Sequence, residues 1–132
     1  PLVKDGYLYT FTENDGLCYT GKYPGDMRCL DIKTGQTKWV EKGTGAAMVL
    51  EVDGCLLCLN FSGDLFLVEA KPDGFKKVTE WKNAIPGEGP WMHNGKVYRK
   101  FSAPCWTIPV VARGKVYLRQ SDRLLCYDLT GK

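Results

Sequence analysis

The sequence predicts an all-β chain built from repeats of a four-stranded antiparallel unit, about three of them in 132 residues. Three observations predict it. A polar residue followed by glycine and a strand-forming triplet recurs along the chain. A joint of the form Asp, then Thr-Gly, then Trp follows it once in full and returns in part, as Asp and Thr-Gly near 128–131 and as Trp81. No stretch of about ten residues or more shows helical periodicity. Composition agrees, since 44% hydrophobic and 25% charged residues are ordinary for a folded domain. The 15 Gly and 7 Pro supply turns, and the 7 Tyr, 5 Phe and 4 Trp favour strands.

The first pattern reads Asp5-Gly6-Tyr7-Leu8-Tyr9, Asp53-Gly54-Cys55-Leu56-Leu57, Asn94-Gly95-Lys96-Val97-Tyr98 and Arg113-Gly114-Lys115-Val116-Tyr117. Glycine after a polar residue supplies the positive φ of a tight hairpin turn. The second pattern reads Cys29-Leu30-Asp31-Ile32-Lys33-Thr34-Gly35 and returns as Cys126-Tyr127-Asp128-Leu129-Thr130-Gly131, with a looser copy at Leu67-Val68-Glu69. Gly54 precedes Glu69 by 15 residues and Gly114 precedes Asp128 by 14, whereas Gly6 precedes Asp31 by 25. The excess in the first copy falls in a polar loop at 19–26, which contains Tyr23. A third element, Thr34-Gly35-Gln36-Thr37-Lys38-Trp39, is a turn feeding a short outer strand, with Lys76-Lys77-Val78-Thr79-Glu80-Trp81 as its expected counterpart. Cys55 to Leu59 and Leu65 to Val68 are continuous apolar runs, so both faces of those strands should be buried.

Four strands in a period of roughly 40 to 48 residues correspond to a propeller blade. The expected division is a first blade at about 1–42, a second at about 43–82 and a third at about 106–132, with an insertion at about 83–105 forming its own hairpin. Gly95 competes with Gly114 for the start of the third blade; the spacing to Asp128 favours Gly114, with Pro109-Val110-Val111 as the first strand.

The segments Cys29 to Trp39, Ser62 to Ala70, Cys105 to Val111 and Leu124 to Leu129 together resemble the PQQ-like (quinoprotein alcohol dehydrogenase-like) β-propeller superfamily. The likeness is closest to the bacterial PQQ-binding-like repeat proteins. It covers nearly all of the chain outside 19–26 and 83–104 and is specific for fold, not for activity. It implies an all-β partial propeller of about three four-stranded antiparallel blades, where a complete ring has roughly six to eight. It further implies structural roles for Gly6, Asp31, Gly35, Trp39, Gly54, Trp81, Gly114 and Asp128, with Trp39 docked flat between neighbouring blades. Three blades leave two apolar faces open, so the partners expected are the remaining blades of a parent chain, self-association or a companion protein. The chain is expected to be mature or, in preference, cut from something longer, because Pro1 begins inside a strand-like pattern with no leader-like segment before it. Location in the periplasm or outside the cell goes with the resemblance.

The chemistry-bearing residues are few. A PQQ dehydrogenase would bring an adjacent Cys-Cys pair, a calcium site and an Asp base; no Cys-Cys pair occurs here. Asp31, Asp128 and Glu69 sit where an acidic side chain caps turn amides. Cys55 and Cys58 have the spacing of half a zinc site, but residues three apart on a strand point to opposite faces. The even count of six cysteines permits disulfides, with Cys105 open to pairing with Cys18 or Cys58. His93, the only histidine, lies in a turn-like stretch without a nucleophile or paired carboxylate. The net charge of +3 is scattered, which argues against nucleic acid, and no apolar run is long enough to span a membrane.

The expected function is therefore a non-catalytic scaffold or protein-interaction module without a cofactor, recognition residing in the loops around Tyr23, Trp91, His93 and Trp106. Two alternatives remain: part of a PQQ/quinone-dependent dehydrogenase using PQQ and calcium, and a carbohydrate or cell-surface binder stacking sugars on Trp91, Tyr98 and Trp106.

Overall fold

The computed structural model describes residues 1–13, 24–86, 91–93, 96–98, 105–120 and 123–130, and of 13, 91–93 and 96–98 the backbone alone. The described residues are all-β without a helix. The first sheet comprises β1 (Leu2–Lys4), β2 (Tyr7–Glu13), β3 (Gly25–Asp31) and β4 (Thr37–Glu41). The second comprises β5 (Ala47–Val52), β6 (Cys55–Asn60), β7 (Leu65–Glu69) and β8 (Lys77–Trp81). A short ribbon pairs β9 (Trp91–His93) with β10 (Lys96–Tyr98), and a third sheet comprises β11 (Val110–Ala112), β12 (Lys115–Gln120) and β13 (Arg123–Asp128). Every sheet is an antiparallel meander in which each strand pairs with its sequence neighbour, and no sheet closes on itself.

The turn chemistry repeats three times. Asp5 and Gly6 have φ of 51° and 83°, Asp53 and Gly54 48° and 79°, Arg113 and Gly114 52° and 73°. Two successive positive-φ residues make a type I′ turn, whose twist matches that of the strands it joins. The next turn leans on each of these, because Ile32, Ala70 and Leu129 donate their amides to the carbonyls of Gly6, Gly54 and Gly114. Aligning the sheets on these turns equates Tyr7, Cys55 and Lys115, and likewise Asp31, Glu69 and Asp128. A register shift falls at the same place in the first two sheets, between Cys29 and Leu30 and between Leu67 and Val68.

Strand alternation gives each sheet two faces. The forward face carries Tyr9 in the first sheet, Leu57 in the second and Tyr117 in the third; the rear face carries Leu8, Leu56 and Val116. Forward residues of the first sheet (Tyr9, Met27, Cys29) share one core with rear residues of the second (Leu56, Cys58, Phe66, Val68). Forward residues of the second sheet (Leu57, Leu59, Leu65) share another with Val116 and Leu118 of the third. The same forward-on-rear contact is thus made twice. Strand β6 contributes to both cores, and all its residues after Cys55 are buried. A strand covered on both sides needs no polar alternation, which is why its sequence is a continuous apolar run.

Within the segment 83–105, Ala84, Ile85 and Cys105 are fully buried in the second core, and 91–93 pairs with 96–98 as a ribbon. Ile85 donates its amide to the Gly63 carbonyl at 3.0 Å, and a Cβ on Gly63 would lie 2.6 Å from the Ile85 oxygen, so Gly63 is fixed by close approach as well as by its φ of 93°. Two sequence readings are corrected. Among the described residues the Glu69 side chain caps no amide; being one methylene longer than Asp, its carboxylate clasps the Lys71 and Lys76 ammonium groups instead. No disulfide joins Cys58 to Cys105, since the Cys58 thiol is free and the two residues belong to cores on opposite faces of the second sheet. Cys18 lies outside the described residues.

Arg113 occupies a left-handed turn position where Asp stands in the other two copies. A long side chain there costs about 1 kcal/mol that Asn or Asp largely avoids. Arg113→Asn should therefore raise the urea midpoint, by about 0.5–1 kcal/mol of stability. An unchanged or lowered midpoint would count against the turn assignment.

Candidate functional site

The residues singled out from sequence divide by position. Gly6, Gly54 and Gly114 make the three tight turns, and Asp31, Gly35 and Asp128 belong to the turns stacked on them. The Asp31 carboxylate accepts the amides of Lys33 and Thr34 at 2.8 and 3.0 Å. The Asp128 carboxylate accepts the Thr130 amide and hydroxyl at 2.8 and 2.5 Å. These bonds hold both carboxyls below their ordinary range, the Thr34 amide contributing most at Asp31 and the Thr130 hydroxyl most at Asp128. Both carboxylates thus serve the turns they sit in. Trp106 is 55% exposed just before β11. His93 is the end residue of a ribbon strand, paired with Lys96, rather than part of a turn. The side chains of Trp91, His93 and Tyr98, and all of Tyr23, lie outside the described residues.

Trp39 and Trp81 each reach across to the next sheet. The Trp39 indole N–H donates to the Lys71 carbonyl at 2.9 Å. Its ring meets Phe75 edge-on at 5.8 Å and Tyr9 at 6.1 Å with a 46° tilt, so it packs in the junction between the two sheets. Trp81 meets Tyr127 edge-on at 4.3 Å, and the Tyr127 hydroxyl donates to the Ala84 carbonyl at 2.8 Å. The two tryptophans are not equivalent. Trp39 pairs with Cys29, whose counterpart is Leu67, and the residue opposite Leu67 is Thr79. Trp81 corresponds instead to Glu41.

That offset opens the second junction. At the first junction the space is filled by Tyr9 and Trp39, while at the second the same positions are held by Leu57 and Thr79. The smaller side chains leave an apolar cleft of about 390 Å³ between the second and third sheets, walled by Val52, Leu57, Leu67, Trp81, Val111 and Leu129. Glu80 is its titratable neighbour, and that carboxylate is already paired with Lys82 at 2.9 Å and Lys77 at 3.1 Å, Lys82 contributing most to holding it below its ordinary range. Such a cavity can bind a flat apolar group; it carries no acid–base pair for turnover.

A second, polar groove of about 420 Å³ runs past Gly25, Asp26, Thr44, Asn60, Asp64 and Lys82. Asp64 accepts the Asn83 amide at 2.9 Å, Lys82 at 3.1 Å and the Asn60 amide group at 3.2 Å. Burial pushes its carboxyl up, but these bonds together hold it below the ordinary range. What they contribute to stability is present above the ordinary Asp range and is lost as pH falls through the folded value. Asp26 is likewise used, accepting the Gly43 amide at 3.1 Å.

Burial pushes the thiols of Cys29 and Cys58 up, and that of Cys105 up to about 11, so these three stay protonated and unreactive. Among the described residues, no group of three or more His, Cys, Asp or Glu side chains is set to hold a metal ion. No described helix is long and apolar enough to cross a membrane. No protein-family model matches the sequence, and no curated protein matches it.

Thr79→Trp should fill the cleft as Trp39 fills the first junction, stabilising the fold by about 1–2 kcal/mol and raising the thermal midpoint by several degrees. A lowered midpoint would show that the two junctions are not equivalent.

Proposed function

We propose that the chain is a non-catalytic scaffold or protein-interaction module of the PQQ-like β-propeller type, its sheets serving as blades. The observation that carries this reading is the repeated forward-on-rear stacking, which leaves one forward face on the third sheet and one rear face on the first without a neighbouring sheet among the described residues. Val110, Leu124 and Cys126 stand exposed on the one, and Val3 and Val40 on the other. Apolar sheet faces of this kind are interaction surfaces in repeat architectures. The carboxylates of Asp31, Asp64 and Asp128 are committed to backbone and side-chain partners, which favours a structural over a catalytic role for them. The partners proposed are further blades of the same kind.

Adding PQQ and calcium to the purified chain should give neither a bound-cofactor absorbance nor dye-linked alcohol oxidation. Turnover that depends on both would overturn the non-catalytic reading in favour of a quinone-dependent dehydrogenase.

A further inference from the structure

The two junctions inside the chain define which residues meet when a forward face packs on a rear face. Phe11 and Phe66 meet edge-on at 6.4 Å in the first. Their counterparts in the second, Leu59 and Leu125, pack in the same core. Carried one step outward, the same register puts Arg119 at the Phe11 position of the open forward face and Arg28 at the Phe66 position of the open rear face. Arg119 is exposed. The Arg28 Nε is buried and finds no hydrogen-bond acceptor among the described residues. Around them the open faces remain apolar, through the cross-strand rows Val110–Tyr117–Cys126 and Val3–Leu8–Leu30.

We infer that each open face takes a partner sheet of the same stacking type whose opposing row carries an Asp or Glu, paired with Arg28 on the rear face or with Arg119 on the forward face. Two features argue for this occupant. The contact continues an interface the chain already makes twice. A guanidinium brought into that desolvated row needs a carboxylate, which it can hold through two parallel hydrogen bonds. A second copy of this chain is disfavoured, because head-to-tail stacking would set Arg119 against Arg28, and like charges facing each other suppress a partner. The inference rests on the scaffold reading above and names the chemistry of its partner.

The chain itself, with one charge reversed, serves as the probe. In sedimentation velocity under reducing conditions, Arg119→Glu should self-associate head to tail at least about tenfold more tightly than the unaltered chain, the introduced carboxylate of one molecule meeting Arg28 of the next. Adding Arg28→Gln to Arg119→Glu should abolish the gain. Thermal melts of all three verify the fold, and the exposure of Arg119 makes the single variant safe in this respect. The inference is overturned if Arg119→Glu associates no better than the unaltered chain, if the unaltered chain associates equally tightly, or if the double variant keeps the gain. None of these results bears on the PQQ assay, so the scaffold reading stands or falls separately.

Discussion

Everything in this molecule depends on one strand having two buried faces. Strand β6 sends Leu56 and Cys58 into the core shared with the first sheet and Leu57 and Leu59 into the core shared with the third. Burying each large aliphatic side chain contributes about 1.5–3 kcal/mol, and truncating one to alanine costs about 2–5 kcal/mol once the cavity is counted. Neither flanking sheet has a comparable central strand. On the described residues, the first sheet has one covered face and so does the third. The second sheet is therefore the wall on which both lean.

Repetition explains why the junctions look alike, and side-chain size explains why they differ. The type I′ turns and the shared register shift set the sheets in equivalent positions. Tyr9 with Trp39 then fills one junction, whereas Leu57 with Thr79 leaves a cleft in the other. At the outer faces Arg119 and Arg28 stand at the positions that Phe11 and Phe66 hold in the first junction, so charge enters the row that is apolar inside the chain. A single backbone plan thus yields a filled contact, a cavity and two arginine-bearing outer faces, each decided by a few residues.

Much of this plan was legible in the sequence. The polar-Gly turns specify local φ values and were visible at three of the described positions, as was the uninterrupted apolar run of β6. Divergence of Cys55 from Cys58 followed from strand alternation alone. What escaped reading depends on tertiary register. Pairing Trp39 with Trp81 looked natural because both follow a turn and end an outer strand. The turn at 70–76 is two residues longer than that at 32–36, however, and Trp81 sits two positions further along its strand. Aligning on the Asp31, Glu69 and Asp128 positions instead of on tryptophan would have pointed to Thr79. The burial of Ala84 and Ile85 left no periodic mark, because two small or aliphatic residues beside a proline read as loop. Glu69 was misread because a turn-capping role was extended from Asp to a longer side chain.

Native-state hydrogen exchange of the backbone amides tests the central role of β6 most directly. If this strand joins both cores, its amides should exchange only through global unfolding, and denaturant should move the slowest amides of all three sheets together with them. Exchange of β6 ahead of β2 or β12 would contradict the account, because the wall would then open before the layers it supports.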